Sequence, residues 1–162
     1  MAQDQQTTAG LRWGVKTSFR NYVEGAGGSI ETNGGAERTA DGAFAFEPAP
    51  GAGLRLNGGG KPEGRAMFTG EVRFAAHGGM LQVCLADPQV EIGPDGAVIS
   101  VMDSPMRDRR VVLAKLDLAG AERGADGAWV FPASITIEGY PVLGDHYPPG
   151  TALDPVVVKV GR

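Results

Sequence analysis

Tyr22 and Ser18 lie four residues apart in the segment Trp13-Gly-Val-Lys-Thr-Ser-Phe-Arg-Asn-Tyr22. On a helix that spacing stacks both side chains on one face, one turn above the other. A phenol normally loses its proton only near pH 10. Metal coordination, or a hydrogen bond from an imidazole, favours the phenolate at neutral pH, and Tyr is one of the recognised axial ligands of haem iron. Imidazoles are scarce here, with His77 and His146 the only two. His77 stands in Ala75-Ala-His-Gly-Gly79, where two following glycines predict a tight reversal that exposes the ring at a sheet rim. Taken alone, it reads equally as a loop histidine in water. His146, in Gly144-Asp-His-Tyr147, reads as part of a polar turn.

Other chemistries find less support. Cys84 is the only cysteine, so neither an intramolecular disulfide nor a thiolate metal cluster can form, and two histidines make a conventional zinc site improbable. Ser18 lies inside the predicted helix rather than on the strand-to-helix turn of a hydrolase nucleophile. The glycine runs at 25–28 and 58–60 follow a helix or lead into no helix, which is the wrong order for phosphate binding. The formal charge is −4, and the densest basic run, Arg107-Asp-Arg-Arg110, is short and contains an acid. Nucleic acid is therefore not an expected partner.

The elements that must position these residues are mostly strands. A chain of 162 residues suits one domain with a real core, and 26 glycines with 11 prolines imply many tight turns. The segment 13–22 is the one convincing helix, with Leu11, Val15 and Phe19 as its buried stripe. Asp-Gly pairs at 41–42, 95–96 and 126–127 predict hairpins. Strands are expected over 44–46, 67–74, 81–85, 98–102, 111–118, 129–131, 134–138 and 156–160. In the run 66–76, alternation puts Met67, Thr69, Glu71 and Arg73 on one face and Phe68, Val72 and Phe74 on the other. Residues 51–64 read as a flexible Gly/Pro-rich loop. The expected fold is mainly β, an antiparallel sandwich or barrel with one short N-terminal helix carrying Tyr22. Residues 1–10 read as a disordered tail and 11–162 as a single domain. No hydrophobic run is long enough to span a bilayer as a helix, and the polar start shows no signal peptide.

Four blocks in order give the chain a specific resemblance: Leu11-Arg-Trp-Gly-Val-Lys-Thr-Ser-Phe-Arg-Asn-Tyr22, Phe68-Thr-Gly-Glu-Val-Arg-Phe-Ala-Ala-His-Gly-Gly-Met-Leu81, Asp87-Pro-Gln-Val90 and Tyr147-Pro-Pro-Gly-Thr-Ala-Leu-Asp-Pro155. From about Leu11 to Val160 it resembles the HtaA-type haem-binding domain of bacterial haem-uptake proteins. The resemblance implies a non-enzymatic protein that binds ferric haem b for acquisition, transfer or storage. It implies Tyr22 as the axial iron ligand and His77 as hydrogen-bond partner of the phenolate oxygen. Ser18 becomes a candidate for a haem propionate or a pocket backbone group. Lys16 or Arg20 could neutralise a propionate, and Phe19, Met80 and Tyr140 are candidates to cover the porphyrin. The implied partners are haem, haem-donor proteins and a haem-transporter binding protein, with a homodimer as an allowed assembly. The implied location is the cell surface or secretion, with the cytoplasm as the alternative given the polar start. A haem-dependent peroxide enzyme and a non-haem β-rich interaction domain are the competing readings.

Overall fold

The computed structural model describes residues 10–51, 53–124 and 126–160. The tail expected over 1–10 lies outside these residues except for Gly10. That residue already pairs with the sheet: its N–H donates to Phe46 O (3.2 Å) and its carbonyl accepts from Lys159 N (3.2 Å).

A closed antiparallel barrel forms the body. Its wall runs in a ring from β1 (Leu11–Trp13) through β4 (Phe44–Pro48), β6 (Pro62–Thr69), β8 (Leu81–Gly93), β9 (Gly96–Met102), β10 (Arg110–Leu116), β12 (Trp129–Ile135) and β13 (Ala152–Val158), back to β1. Each pairing in this ring is antiparallel. Closure removes the exposed sheet edges that an eight-stranded open sheet would present. Inward-facing residues such as Trp13, Phe44, Ile99, Leu113, Phe131 and Val156 fill the core. Four short or peripheral strands add to the wall: β2 (Ser29–Asn33), β3 (Ala36–Arg38), β5 (Leu54–Leu56) and β11 (Glu122–Arg123). All three Asp-Gly pairs turn hairpins, β3–β4, β8–β9 and β11–β12, with Gly42, Gly96 and Gly127 at positive φ. The segment 51–64, expected as a loop, contains β5 paired with the start of β6.

One hairpin overshoots the barrel. The continuous strand expected over 67–74 is β6 followed by β7 (Glu71–Ala76), broken at Gly70 (φ +136°). Both halves pair with β8: β6 with Gln89–Ile92 and β7 with Leu81–Ala86. The β9 partner reaches only as far as Ala86, so β7 and the first half of β8 project past the barrel as an arm, and β2 adds to the free edge of β7. The break is matched on β8 by a bulge at Asp87-Pro88, where Asp87 has φ +47°. A Cβ at Gly70 would lie 2.6 Å from Ala36 N, which is why no side chain fits where the arm leaves the barrel. Glu71 also departs from simple alternation. It is 3% exposed and is held by Arg73 (Nε–Oε2 2.5 Å) and Arg107 (NH1–Oε1 3.3 Å). Arg107 also donates to Asp87 Oδ2 (2.7 Å), and that bond raises the guanidinium pKa above its ordinary value. Arg110 ties the same corner by donating to Asp87 O (2.9 Å). The kink is thus clamped by paired charges, as a buried carboxylate requires.

The helix is shorter and later than expected. α1 spans Thr17–Gly25, while Leu11 and Trp13 belong to β1. Trp13 pairs with Phe44 and Val156, and Val15 takes φ +64°, a conformation that ends the strand and forbids the helix from starting earlier. Among the described residues no helix is long and apolar enough to cross a membrane.

Candidate functional site

α1 lies against the arm. Its buried stripe is Phe19 and Val23, at helical spacing, with Phe19 tilted against Phe74 of β7 at 5.0 Å between ring centroids. Burial of each such side chain contributes about 1.5–3 kcal/mol, enough to fix which face points outward. That outward face carries Ser18 and Tyr22, both exposed, with Tyr22 at 41%.

Long-range contacts fix the start of the helix. The N-cap residue, Lys16, makes no side-chain cap bond. Instead Asp154 of β13 accepts from Thr17 N (2.9 Å) and Thr17 Oγ1 (2.8 Å), so a carboxylate sits at the positive end of the helix. The same carboxylate pairs with Arg20 (NH1–Oδ2 2.9 Å), which also donates to Gly14 O (2.7 Å). Arg20 is 7% exposed and structural, so it does not stand at a pocket rim as the sequence suggested. Lys16 is likewise engaged: its Nζ donates to Ala152 O (2.8 Å) and lies 5.2 Å from the Tyr147 ring centroid. At the helix's far end Arg38 donates to Glu24 (2.9 Å), and that hydrogen bond holds the Glu24 carboxyl below the ordinary range.

The tip of the arm supplies the second chemical group. Between β7 and β8, His77–Gly79 forms a tight left-handed turn in which His77, Gly78 and Gly79 all have positive φ (56°, 65° and 94°). For Gly78 and Gly79 this backbone is free of strain, whereas for His77 it costs roughly 1–2 kcal/mol. The turn delivers His77 Nε2 to 2.5 Å from Tyr22 Oη, although 55 residues separate them. Residues singled out at widely separated positions of the sequence thus meet in a short hydrogen bond. Met80, next along the turn, is 90% exposed.

His146 also reaches this place. Its ring centroid lies 5.5 Å from that of Tyr22, so the phenol is flanked by two imidazoles. The other pocket candidates lie elsewhere. Phe19 is fully buried in the core, and Tyr140 is half-buried in the turns after β12. Sequence reasoning missed Asp154, whose only signal was an acidic residue in the last matching block. Chemically, the site offers one phenol oxygen with an imidazole on it, open to solvent. Among the described residues no group of three or more His, Cys, Asp or Glu side chains could hold a metal ion.

A closed barrel in which a helix-borne phenol meets an imidazole at the tip of an arm defines a small β-barrel domain with a phenol–imidazole site at its surface. The HtaA family model (Htaa) matches residues 8–159, and the chain belongs to that family. Among solved structures it is similar to the C-terminal domain of HtaA from Corynebacterium glutamicum, with 27% identity, a TM-score of 0.73, and coverage of 92% of this chain and 93% of that one. The N-terminal domain of the same HtaA gives 24% identity and a TM-score of 0.69 over 96% of this chain and 99% of that one. The haem-binding protein HtaB of the same organism gives 20%, 0.66, 91% and 89% in the same order, and like the N-terminal domain it bears on the fold alone. No curated protein matches.

Proposed function

We propose that this chain is a haem-binding and transfer protein that holds ferric haem through the Tyr22 oxygen, for haem acquisition, transfer or storage. The observation that carries this reading is the 2.5 Å hydrogen bond between Tyr22 Oη and His77 Nε2 on an exposed helix face. The donor set suits haem, because a porphyrin brings four ligands of its own and asks the protein for one axial side chain, a role Tyr can fill. The exposed Met80 offers apolar cover, and Ser18 offers a hydroxyl one turn from the ligand for a propionate.

Bound haem would supply a Lewis-acidic ferric iron that favours an anionic oxygen ligand. The protein's part is to prepare and hold that oxygen. With His77 in its Nδ1–H form, Nε2 accepts the Tyr22 hydroxyl proton; once protonated, Nε2 donates back to the phenolate and holds it in place. Returning the proton to Oη weakens the ligand, so the same pair provides a path to release. One oxygen ligand backed by one imidazole suits a carrier that must also let go. We propose further that it acts as a binding protein rather than an enzyme, at the cell surface or in secreted form.

Titration of the apo protein with haemin tests it. Wild type should give a ferric high-spin, tyrosinate-type spectrum and Tyr22→Phe should not. An identical spectrum in Tyr22→Phe would overturn the assignment. Peroxide consumption by the loaded protein should not exceed that of free haemin.

A further inference from the structure

The loop after β12 runs through Gly144-Asp-His-Tyr147. Leu143 is fully buried. The Tyr147 ring stands edge-on to Phe19 at 6.1 Å, under the Lys16 ammonium at 5.2 Å. Gly144 (φ +77°) and Asp145 (φ +62°) turn the chain back on itself. A Cβ at Gly144 would sit 2.9 Å from Leu81 Cδ1 and 3.2 Å from His146 Cδ2, so the glycine lets the loop close on the base of the arm tip. The outcome is that His146 lies between Tyr147, at 6.2 Å, and Tyr22, at 5.5 Å with a 58° tilt.

From this we infer that His146 is a positioning residue for Tyr22. Its ring is a wall against the phenol and restricts the side-chain rotation by which an exposed Tyr would swing away from His77. The inference rests on the haem reading for its functional consequence, which is slower loss of bound haem. Tyr22 is 41% exposed, and a single hydrogen bond in water is a weak restraint on a ring at a helix surface. Immobilising one such side chain is worth about 0.5–1.5 kcal/mol, which converts to roughly a two- to tenfold change in a rate or equilibrium constant.

The test compares wild type with His146→Ala and His146→Phe. Loaded with haemin and mixed with excess apomyoglobin, His146→Ala should lose haem about two- to tenfold faster, with the absorption spectrum of wild type. His146→Phe, which keeps a ring but no nitrogen, should return the rate to near wild type. An unchanged rate in His146→Ala, or a His146→Phe variant as fast as the Ala variant, would overturn the inference. A second measurement needs no haem. The Tyr22 χ1 couplings in NMR spectra of the apo protein should report one rotamer in wild type and averaging in His146→Ala. Unchanged couplings would overturn the inference. If wild type failed to take up haemin, the functional reading would fall while the couplings still decided whether His146 orders Tyr22.

Discussion

Gly70 and Asp87 are hydrogen-bonded to each other in both directions, Asp87 N to Gly70 O at 2.8 Å and Gly70 N to Asp87 Oδ1 at 3.2 Å. The break in one strand and the bulge in its partner are therefore one feature, and they set the angle at which the arm carries His77 toward the helix. Gly70→Ala should destabilise the fold by about 2–4 kcal/mol, because the backbone at φ +136° is unfavourable for Ala and its Cβ would meet Ala36 N at 2.6 Å. Urea denaturation measures this; a loss below about 1 kcal/mol would mean the kink adjusts freely.

Removing the Tyr22 hydroxyl should separate function from folding. Tyr22 is largely outside the core, so Tyr22→Phe should leave the melting temperature within about 2 °C of wild type. Haemin affinity should fall at least tenfold. A spectrophotometric titration beside a thermal melt gives both numbers.

His77 holds a left-handed backbone at some cost, so its substitutions should divide stability from binding. His77→Gly should be more stable than His77→Ala by up to about 1 kcal/mol, since only glycine adopts φ +56° without strain. Both variants should lose haem faster than wild type, because both delete the imidazole on Tyr22 Oη. Equal melting points for the pair would show that the backbone there relaxes.

Asp154→Ala should cost about 3–5 kcal/mol, because it strands the buried Arg20 guanidinium and uncaps α1 together. Asp154→Asn keeps an acceptor for Thr17 N and should cost less. Chemical denaturation of the two variants decides the order.

Cys84 gives a pH-dependent signature. Burial pushes its thiol pKa above the ordinary value, with the Glu71 carboxylate adding to the effect. Iodoacetamide should therefore react more slowly with the folded protein than with a free thiol at pH 8, and the rate–pH profile should be displaced to higher pH. The thiol's contribution to stability is present below the unfolded thiol's pKa and is lost as pH rises through the higher folded value. A profile matching that of free cysteine would contradict this.

Much of the strand content was readable from alternation and Asp-Gly turns, because those signals are local. The helix boundaries were not, since Leu11 and Val15 fit a helical stripe as well as they fit a strand and its exit; pairing of Leu11 with Phe46 and Val158 decides between them, and both partners are distant in sequence. Burial of Glu71 escaped alternation for the same reason, because its partner Arg107 comes from another loop. The residues of the candidate site were visible as types and turn chemistry, and the family resemblance joined Tyr22 to His77. The role of Asp154 and the placement of His146 beside Tyr22 were hidden, because no local pattern announces either contact.

Thr17 and Asp154 are separated by 137 residues. On the ribosome, the helix bearing Tyr22 emerges well before the carboxylate of Asp154 that fixes its first turn. An incomplete product of this domain therefore carries the tyrosine but lacks its anchor, so the helix bearing Tyr22 is fixed only once the strand bearing Asp154 has been made.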